Sequence, residues 1–434
     1  MSKMPIKTMV EGLLKLQETG ESAILLGIGP MSTNCVQAAL ELSKEHDFPI
    51  MFIASRNQVD LDRLGGGYVN EWDQWRFAEA VEEVAEKIDY NNEYYLCRDH
   101  GGPWQRDKER SEHLSEDQAM KIGKESYEAD IEAGFDLLMI DPTKDPFIRG
   151  KVVPLDTVLK RTVELIEFCE KVRERKNLPE IGYEVGTEET NGGLTSKETY
   201  EKFIQQLKDE LTEKNLPMPT FIVGQTDTLV RKTKQVGHFN FENAMELAKM
   251  ANSYKVGLKE HNGDYLDDIS LLMHIPSQIT ATNVAPQYGT EETRAYIELS
   301  EVERMLAQKG KIKNTSNIYE VLLVESIKSE RWRKWMSDNQ VDLTVEEIRS
   351  NKKLSKEILD IAGHYTFNNK GVKKEIEKLY SNLKQNRIDG QRFVIDHIKR
   401  PIRDYAEIFN LNGLTSRIKS CLLYTSPSPR DVEE

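Results

Sequence analysis

Eight short apolar runs alternate with amphipathic segments along most of this 434-residue chain. Each run has the length of a buried strand, and the segments between carry apolar residues at helical spacing, as at Leu159, Val163 and Ile166. We predict strands at residues 23–28, 50–54, 94–97, 137–140, 181–185, 220–223, 255–258 and 278–284. We predict intervening helices at residues 74–87, 116–133, 155–173, 196–213, 241–253 and 290–309.

Strand–helix alternation repeated eight times favours a parallel sheet with right-handed crossovers, closed as a (β/α)8 barrel. An open, doubly wound sheet is the competing fold. Its dinucleotide-binding fingerprint is missing, because Gly27-Ile28-Gly29-Pro30 lacks the later glycine and carries a proline. We therefore predict an α/β protein with a (β/α)8 TIM barrel over residues 1–311.

The pattern changes near residue 312, beyond which no strand-like run of good quality appears. We predict a helical C-terminal appendage over residues 312–420, packed on the barrel. Its expected helices are 317–328, 331–338, 344–350, 355–362, 372–385 and 389–409. Residues 421–434 resemble the in-frame translation of a common sequencing-library adapter, and we expect them to be non-native. An ordinary disordered tail is the alternative, which Ser-Pro-Ser-Pro also suits.

The charge balance argues against two classes of partner. The chain has 59 basic and 73 acidic residues and a formal net charge of -14, which disfavours nucleic acid and anionic membrane as main partners. It has neither a membrane-spanning apolar window nor the apolar core of a signal peptide at its beginning. Its four cysteines show no CxxC spacing, so neither a disulfide framework nor a thiolate zinc site is indicated. We expect a cytoplasmic location.

An acid and an imidazole stand side by side where the third predicted strand stops. Asp99 and His100 are followed by Gly-Gly-Pro, a sequence suited to a turn. Successive side chains of a regular strand point to opposite faces, so both can face the barrel mouth only if the strand ends at Asp99 and the backbone turns at His100. This arrangement is typical of a general acid–base group beside a metal ligand.

Barrel enzymes place their active sites at the carboxyl ends of the strands, so polar residues there are the candidates for chemistry. We predict His100 and His261 as metal ligands, with Asp141 as a possible carboxylate ligand, because two imidazoles and a carboxylate suit Zn²⁺ or Mn²⁺. Asp99 is the predicted acid–base residue, and Glu188 a second proton-transfer group. For every such Asp or Glu the alternative is helix capping or a structural ion pair.

The chain also resembles a known family, the Z-type, so-called non-catalytic, subunit of class II D-tagatose-bisphosphate aldolases, which includes ketose 4-epimerases. The resemblance runs in order along nearly the whole chain. It rests on residues 55–60 (SRNQVD), 99–103 (DHGGP), 134–135, 140–141, 186–188, 192–193, 260–261, 264–265, 285–286, 294 and 330–336. We expect the following strand-end and matching residues to contact substrate: Ser55, Asn57, Gln58, Asp264, Asn283 and Arg294.

The resemblance implies a TIM barrel that binds a divalent metal, Zn²⁺ first and Mn²⁺ next, and acts on ketose phosphates. Three hypotheses stay open. The chain is an aldolase subunit that works with a Y-type catalytic partner, a stand-alone ketose 4-epimerase, or an inert subunit that stabilises its partner. A homo-oligomer is possible in each case. Intact Asp99, His100 and His261 argue against inertness.

Overall fold

The computed structural model describes residues 3–148, 152–186, 196–336 and 340–425. Eight parallel strands close into a barrel in the order β1-β10-β9-β6-β5-β4-β3-β2, which confirms the predicted α/β class and TIM-barrel fold. Between β6 and β9, β7 (Val230–Arg231) and β8 (Lys234–Gln235) form a separate hairpin. The barrel strands are β1 (Leu25–Ile28), β2 (Ile50–Ser55), β3 (Tyr94–Gly101), β4 (Leu137–Ile140), β5 (Gly182–Val185), β6 (Phe221–Val223), β9 (Gly257–Glu260) and β10 (Ala281–Val284).

The strands form where the apolar runs predict them, because a parallel strand covered on both faces must be apolar nearly throughout. Two boundaries differ in a way that matters for the site. The third strand continues to Gly101, four residues beyond its apolar run, and the seventh barrel strand, β9, ends at Glu260 rather than at residue 258. Apart from Gly101, both extensions consist of polar residues, which hydrophobic periodicity does not detect.

The predicted barrel helices all form with boundaries close to those expected. The described helices are α1 (Ile6–Glu18), α2 (Thr33–His46), α3 (Gln74–Lys87), α4 (Asp107–Ser111), α5 (Glu116–Glu132), α6 (Leu155–Arg175), α7 (Lys197–Glu213), α8 (Phe241–Ser253), α9 (Asp268–Ser277), α10 (Pro286–Gln308), α11 (Ile318–Lys328), α12 (Val345–Ser350), α13 (Lys352–Ala362), α14 (Lys370–Gln385), α15 (Gly390–Ile408) and α16 (Leu414–Thr425).

Two features of the C-terminal part differ from the sequence prediction. In the described part of residues 331–338, only a 3₁₀ turn at Arg333–Trp335 forms, next to the buried Trp332, whose Nε1–H donates to the Ile327 carbonyl. The sequence also missed α16, whose last residues fall within the segment expected to be non-native. Residues 426–434 lie outside the described chain.

The C-terminal helices are fastened to the barrel by apolar and polar contacts. Helix α15 packs against α2 and α10, and α16 packs against α1. Glu41 on α2 pairs with Arg392 at 2.9 Å and with Lys399 at 2.6 Å. The Tyr405 hydroxyl donates to the Gly263 carbonyl at 2.6 Å, two residues beyond His261. The C-terminal helices therefore buttress a loop at the mouth of the barrel. A boundary at residues 311 and 312 stays a prediction.

None of the helices in the described ranges is both long enough and apolar enough to cross a membrane.

Candidate metal centre and acid–base site

A bulge at the end of β3 turns Asp99 and His100 toward the same place. Ser55 on β2 pairs with Asp99, and on the other side the β3–β4 register shifts between Arg98 and Gly101. His100 occupies the left-handed backbone region with φ of 45°, and Gly102 follows with φ of 111°. The strand therefore continues past Asp99, whereas the sequence analysis expects it to end there. The left-handed residue breaks the alternation instead, and the expected convergence is achieved.

Asp99, His100 and His261 form a cluster, here called the metal centre, although β3 and β9 are not neighbours in the barrel. One candidate ligand atom from each residue lies within 4.8 Å of the other two. The two imidazole rings are perpendicular, with centroids 5.0 Å apart, and His261 Nε2 lies 4.0 Å from Asp99 Oδ1. The two imidazoles are donors that suit Zn²⁺, Mn²⁺ or Fe²⁺, and the Asp99 carboxylate beside them is placed to act on a substrate bound there.

Asp141 supports His100 from behind. Its Oδ2 lies 2.7 Å from His100 Nδ1, and its Oδ1 accepts a hydrogen bond from the Thr143 hydroxyl at 2.5 Å. Burial alone would raise the pKa of Asp141, but the hydrogen bond and the positive charge of His100 lower it to about 2. A carboxylate on one imidazole nitrogen orients the other toward a metal. Asp141 thus contacts a predicted ligand, and its own role as a ligand stays a prediction.

His261 has an equivalent support that the sequence analysis did not single out. Its Nε2 lies 2.7 Å from Glu184 Oε1, and the fully buried Lys259 ammonium lies 2.5 Å from Glu184 Oε2. Burial would raise the pKa of Glu184, but the charges of Lys259 and His261 lower it to about 2. The sequence signal for Glu184 is a carboxylate inside a short run that is predicted to be a buried strand. Glu188, the predicted second proton-transfer group, lies outside the described residues.

Asn283 on β10 connects to Asp99 across the barrel mouth. Its Nδ2 donates to Asp99 Oδ1 at 3.3 Å, and its buried Oδ1 has no hydrogen-bond partner among the described residues. Gly27 on the adjacent β1 leaves room for this amide, since a Cβ there would collide with Asn283 Oδ1. An unpaired buried acceptor beside an acid and two imidazoles indicates that a polar ligand belongs here. Contact with substrate remains a prediction.

Three other predicted substrate-binding residues lie at the end of β2 or in the loop that follows it, and some of their polar groups are engaged in local hydrogen bonds. Ser55 pairs with Asp99 in the sheet register. Gln58 uses its Oε1 to accept from the Ser55 N–H at 2.8 Å, which fixes the turn after β2. The Asn57 carbonyl accepts from the Tyr68 N–H at 3.0 Å. This loop therefore holds Ser55 beside the metal centre.

Asp264 and Arg294 have structural contacts. The Asp264 carboxylate accepts the N–H groups of Ala285 at 3.0 Å and Gln287 at 2.9 Å, so it caps the start of α10. Arg294 pairs with Asp360 at 2.9 Å, which ties α10 to α13. These contacts do not bring either side chain into the metal centre. Their predicted substrate contacts remain untested expectations.

The two charged residues of the SRNQVD segment, Arg56 and Asp60, belong to a second cluster. It also contains Arg98, Glu109 and Asp130 and is here called the buried ion cluster. Arg56 pairs with Asp60 at 2.9 Å and with Glu109 at 2.7 Å, and Arg98 pairs with Asp130 at 2.6 Å. An Arg56 N–H also donates to the Gly102 carbonyl at 3.1 Å, directly behind the DHGGP turn. The cluster therefore supports the bulge that positions Asp99 and His100.

These features define a class of protein: a (β/α)8 barrel with a candidate divalent-metal and acid–base site at the carboxyl ends of its strands. The chain belongs to the family described as D-tagatose-1,6-bisphosphate aldolase subunit GatZ/KbaZ-like, whose profile matches residues 10–408. The resemblance noted in the sequence is thereby confirmed. No curated protein sequence matches the chain significantly.

Solved structures share the fold at low sequence identity. The crystal structure of a probable tagatose 6 phosphate kinase from Sinorhizobium meliloti 1021 has 18% identity and a TM-score of 0.68, covering 92% of this chain and 98% of that one. Fructuronate-tagaturonate epimerase UxaE from Cohnella laeviribosi has 13% identity and a TM-score of 0.53, with coverages of 90% and 82%. Fructose-bisphosphate aldolase from Campylobacter jejuni has 11% identity and a TM-score of 0.53, with coverages of 93% and 94%.

Proposed function

We propose that the chain cleaves the C3–C4 bond of a ketose or ketose phosphate in a divalent-metal-dependent retro-aldol reaction. The observation that carries the proposal is the convergence of Asp99, His100 and His261 at the carboxyl end of the barrel. Family membership among the aldolase subunits supports the reaction class and the sugar-phosphate substrate. Residues His100 and His261 would hold the metal, for which Zn²⁺ or Mn²⁺ suits the donor set.

Carbon four of a 2-ketose is not adjacent to the carbonyl, so simple enolisation cannot act on it. A base must take the proton of the C4 hydroxyl as the C3–C4 bond breaks. The bonding electron pair then moves to C3 and gives an enediolate, while C4 becomes an aldehyde. A bound divalent cation supplies the positive charge that stabilises the developing oxygen anion.

Asp99 is the proposed base. Asn283 donates to Asp99 Oδ1 and orients the carboxylate, while the second carboxylate oxygen can accept the substrate proton. Asp141 and Glu184 fix the two imidazole rings, so the centre is organised before substrate arrives. The same Asp99 returns the proton in the reverse direction.

Two outcomes of this chemistry differ only in the fate of the aldehyde. Its release gives an aldolase, whereas rotation and re-addition to the enediolate gives a 4-epimerase.

The family's description as an aldolase subunit supports a further proposal, that the chain associates with a Y-type catalytic partner. The intact acid and imidazoles argue that the chain is itself catalytic rather than an inert support.

Product analysis tests the proposal. The purified chain is incubated with Mn²⁺ or Zn²⁺ and with tagatose and fructose phosphates, alone and with a Y-type subunit, and products are identified by NMR. Triose products indicate an aldolase and an inverted C4 centre indicates an epimerase, and Asp99→Asn should slow the formation of both. Absence of turnover under all conditions, together with absence of bound metal, would contradict both enzymatic forms of the proposal.

A further inference from the structure

The loop that begins with His261, after β9, is held by side chains from two other parts of the chain. The backbone carbonyls of the four consecutive residues 261–264 each accept a hydrogen bond from one of these side chains. The donors are Thr228 and Gln235, in the segment between β6 and α8, and Tyr405 on α15. We call these three residues the carbonyl clamp. The loop therefore takes its shape from the elements that satisfy its carbonyl groups.

Gln235 is the central residue of the carbonyl clamp, because its amide is fully engaged. Its Nε2 donates to the Asn262 carbonyl at 2.9 Å and to the Asp264 carbonyl at 3.2 Å. Its Oε1 accepts from the N–H groups of Leu229 at 2.5 Å and Gly237 at 3.3 Å, which flank the hairpin of β7 and β8. A carboxamide has two N–H donors and an oxygen with two lone pairs, so this side chain makes every hydrogen bond it can. It joins the hairpin firmly to the loop.

The other two clamp residues bind the carbonyls that Gln235 leaves free. The buried hydroxyl of Thr228 donates to the carbonyl of His261 itself at 3.0 Å. The Tyr405 hydroxyl donates to the Gly263 carbonyl at 2.6 Å. The clamp thus begins at the predicted metal ligand and continues along the three residues that follow it.

The loop needs this support because two of its residues have left-handed backbone conformations. Asn262 has a φ of 60° and Tyr265 a φ of 57°. Asparagine tolerates this region, but a bulky tyrosine is strained in it. The Tyr265 N–H donates to Gln287 Oε1 at 2.8 Å, which helps to hold the strained residue. Without the clamp, we expect the loop to relax toward ordinary backbone angles and to displace His261.

The carbonyl clamp acts on a different part of His261 from Glu184. Glu184 contacts the imidazole ring at 2.7 Å and orients it. The clamp holds the backbone from which the ring projects, beginning with the His261 carbonyl. Residues of a metal site have to be held within about 0.5 Å of the productive geometry. His261 therefore needs both kinds of support to meet a metal together with His100 on β3.

We propose that the three clamp residues are positioning residues, which set the metal affinity of the metal centre through the backbone of His261. The C-terminal helices then influence the site in two ways. Tyr405 belongs to α15, and Lys232 of the hairpin pairs with Glu357 on α13 at 2.7 Å. This inference rests on the proposed function for the presence of a metal at His261.

Two substitutions test the carbonyl clamp from different elements. Gln235→Glu keeps the size of the side chain and an acceptor for the hairpin but removes both N–H donors, and Tyr405→Phe removes only a hydroxyl. Tyr200→Phe on α7 is the matched control, since its buried hydroxyl donates to the Ile222 carbonyl of β6 at 3.3 Å. Zinc affinity is measured by chelator competition and stability by urea unfolding. Amide hydrogen exchange of residues 262–265 is followed in the metal-free chain.

Both clamp variants should bind zinc about tenfold more weakly, at the lower end of the loss of about 10–100-fold that follows removal of the support of a metal ligand. Exchange across residues 262–265 should become faster, and the visible absorption of Co²⁺ bound in place of zinc should change. Tyr200→Phe should lower the free energy of unfolding without changing zinc affinity, loop exchange or the Co²⁺ spectrum. Because the two clamp variants lie on different elements, misfolding of one leaves the other to decide.

A zinc affinity equal to that of the native chain in both clamp variants, or the same loss in Tyr200→Phe, would overturn the inference. These outcomes differ from failure of the proposed function. Weaker zinc binding in both clamp variants of a chain that turns over no ketose would overturn the function alone. Ketose turnover by a native chain whose zinc affinity is insensitive to the clamp would overturn the inference alone.

Discussion

The metal centre and the buried ion cluster both use ionisable residues of β3, yet they are built differently. In the buried ion cluster, each arginine has carboxylate partners at 2.6–2.9 Å and further hydrogen bonds to backbone carbonyls. In the metal centre, Asp99 and the two imidazoles approach one another while the Asn283 Oδ1 beside them has no partner.

The difference shows which charged group is available for chemistry. Buried ion pairs whose charges are matched hold the backbone in place. Residues supported on one side and open on the other can accept a metal or a substrate. The buried ion cluster lies behind the DHGGP turn, so it fixes the backbone geometry on which the metal centre depends.

The largest expected effect is on catalysis. Asp99→Asn keeps the shape of the side chain but removes the base, so kcat should fall by about 10²–10⁴-fold, the usual worth of a general acid–base group. The metal content should remain that of the native chain, because His100 and His261 are unchanged. Steady-state kinetics and elemental analysis of the same preparation check both points. Full activity of Asp99→Asn would remove its assigned role.

Substitution in the buried ion cluster should affect stability instead. Arg98→Met leaves Asp130 buried without its cation, which should lower the free energy of unfolding by about 3–5 kcal/mol. Arg304→Met on α10 is the control, because its exposed pair with Glu301 should be worth less than about 1 kcal/mol. Urea unfolding measures both. An equal effect of the two substitutions would contradict the contrast between the regions.

The support of His100 should matter for metal affinity more than for folding. Asp141→Asn weakens the hydrogen bond that orients the ring, so the metal dissociation constant should rise by about 10–100-fold. Competition with a chromogenic chelator measures it. If the substitution removed the metal altogether, Asp141 would be a ligand itself, as the sequence analysis first suggested.

A smaller, pH-dependent effect is expected at Asp264, a buried carboxylate that belongs to neither region. Burial raises its pKa to about 7, although the N–H groups of Gln287 and Ala285 oppose the shift. The folded chain then retains a proton that the unfolded chain releases near pH 4, so this contribution to stability falls as pH rises from about 4 to about 7. Urea unfolding across this range should show that slope in the native chain and not in Asp264→Asn. Equal slopes would contradict the assignment.

The sequence predicted the barrel well because burial on both faces imposes apolar strands at regular intervals. It also singled out Asp99, His100 and His261, which the structure brings together, since an acid or a histidine at the end of a strand is conspicuous. Glu184 and Lys259 escaped notice because they lie inside strands that periodicity treats as core.

The placement of the C-terminal helices over the barrel mouth was also beyond the sequence. Arg331 is close to Tyr68 only in the folded chain, and no local pattern links residues so far apart. Helix α16 was missed for a different reason, because the segment that contains its end looked non-native.

Metal stoichiometry tests the central claim most directly. Purified chain is dialysed against metal-free buffer after loading with Zn²⁺, and bound zinc is measured by mass spectrometry for the native chain, His261→Ala and His46→Ala. The native chain and His46→Ala, whose histidine lies at the end of α2, should each retain about one ion. His261→Ala should retain almost none while staying folded. Equal zinc content in all three proteins, or none in the native chain, would contradict the metal centre.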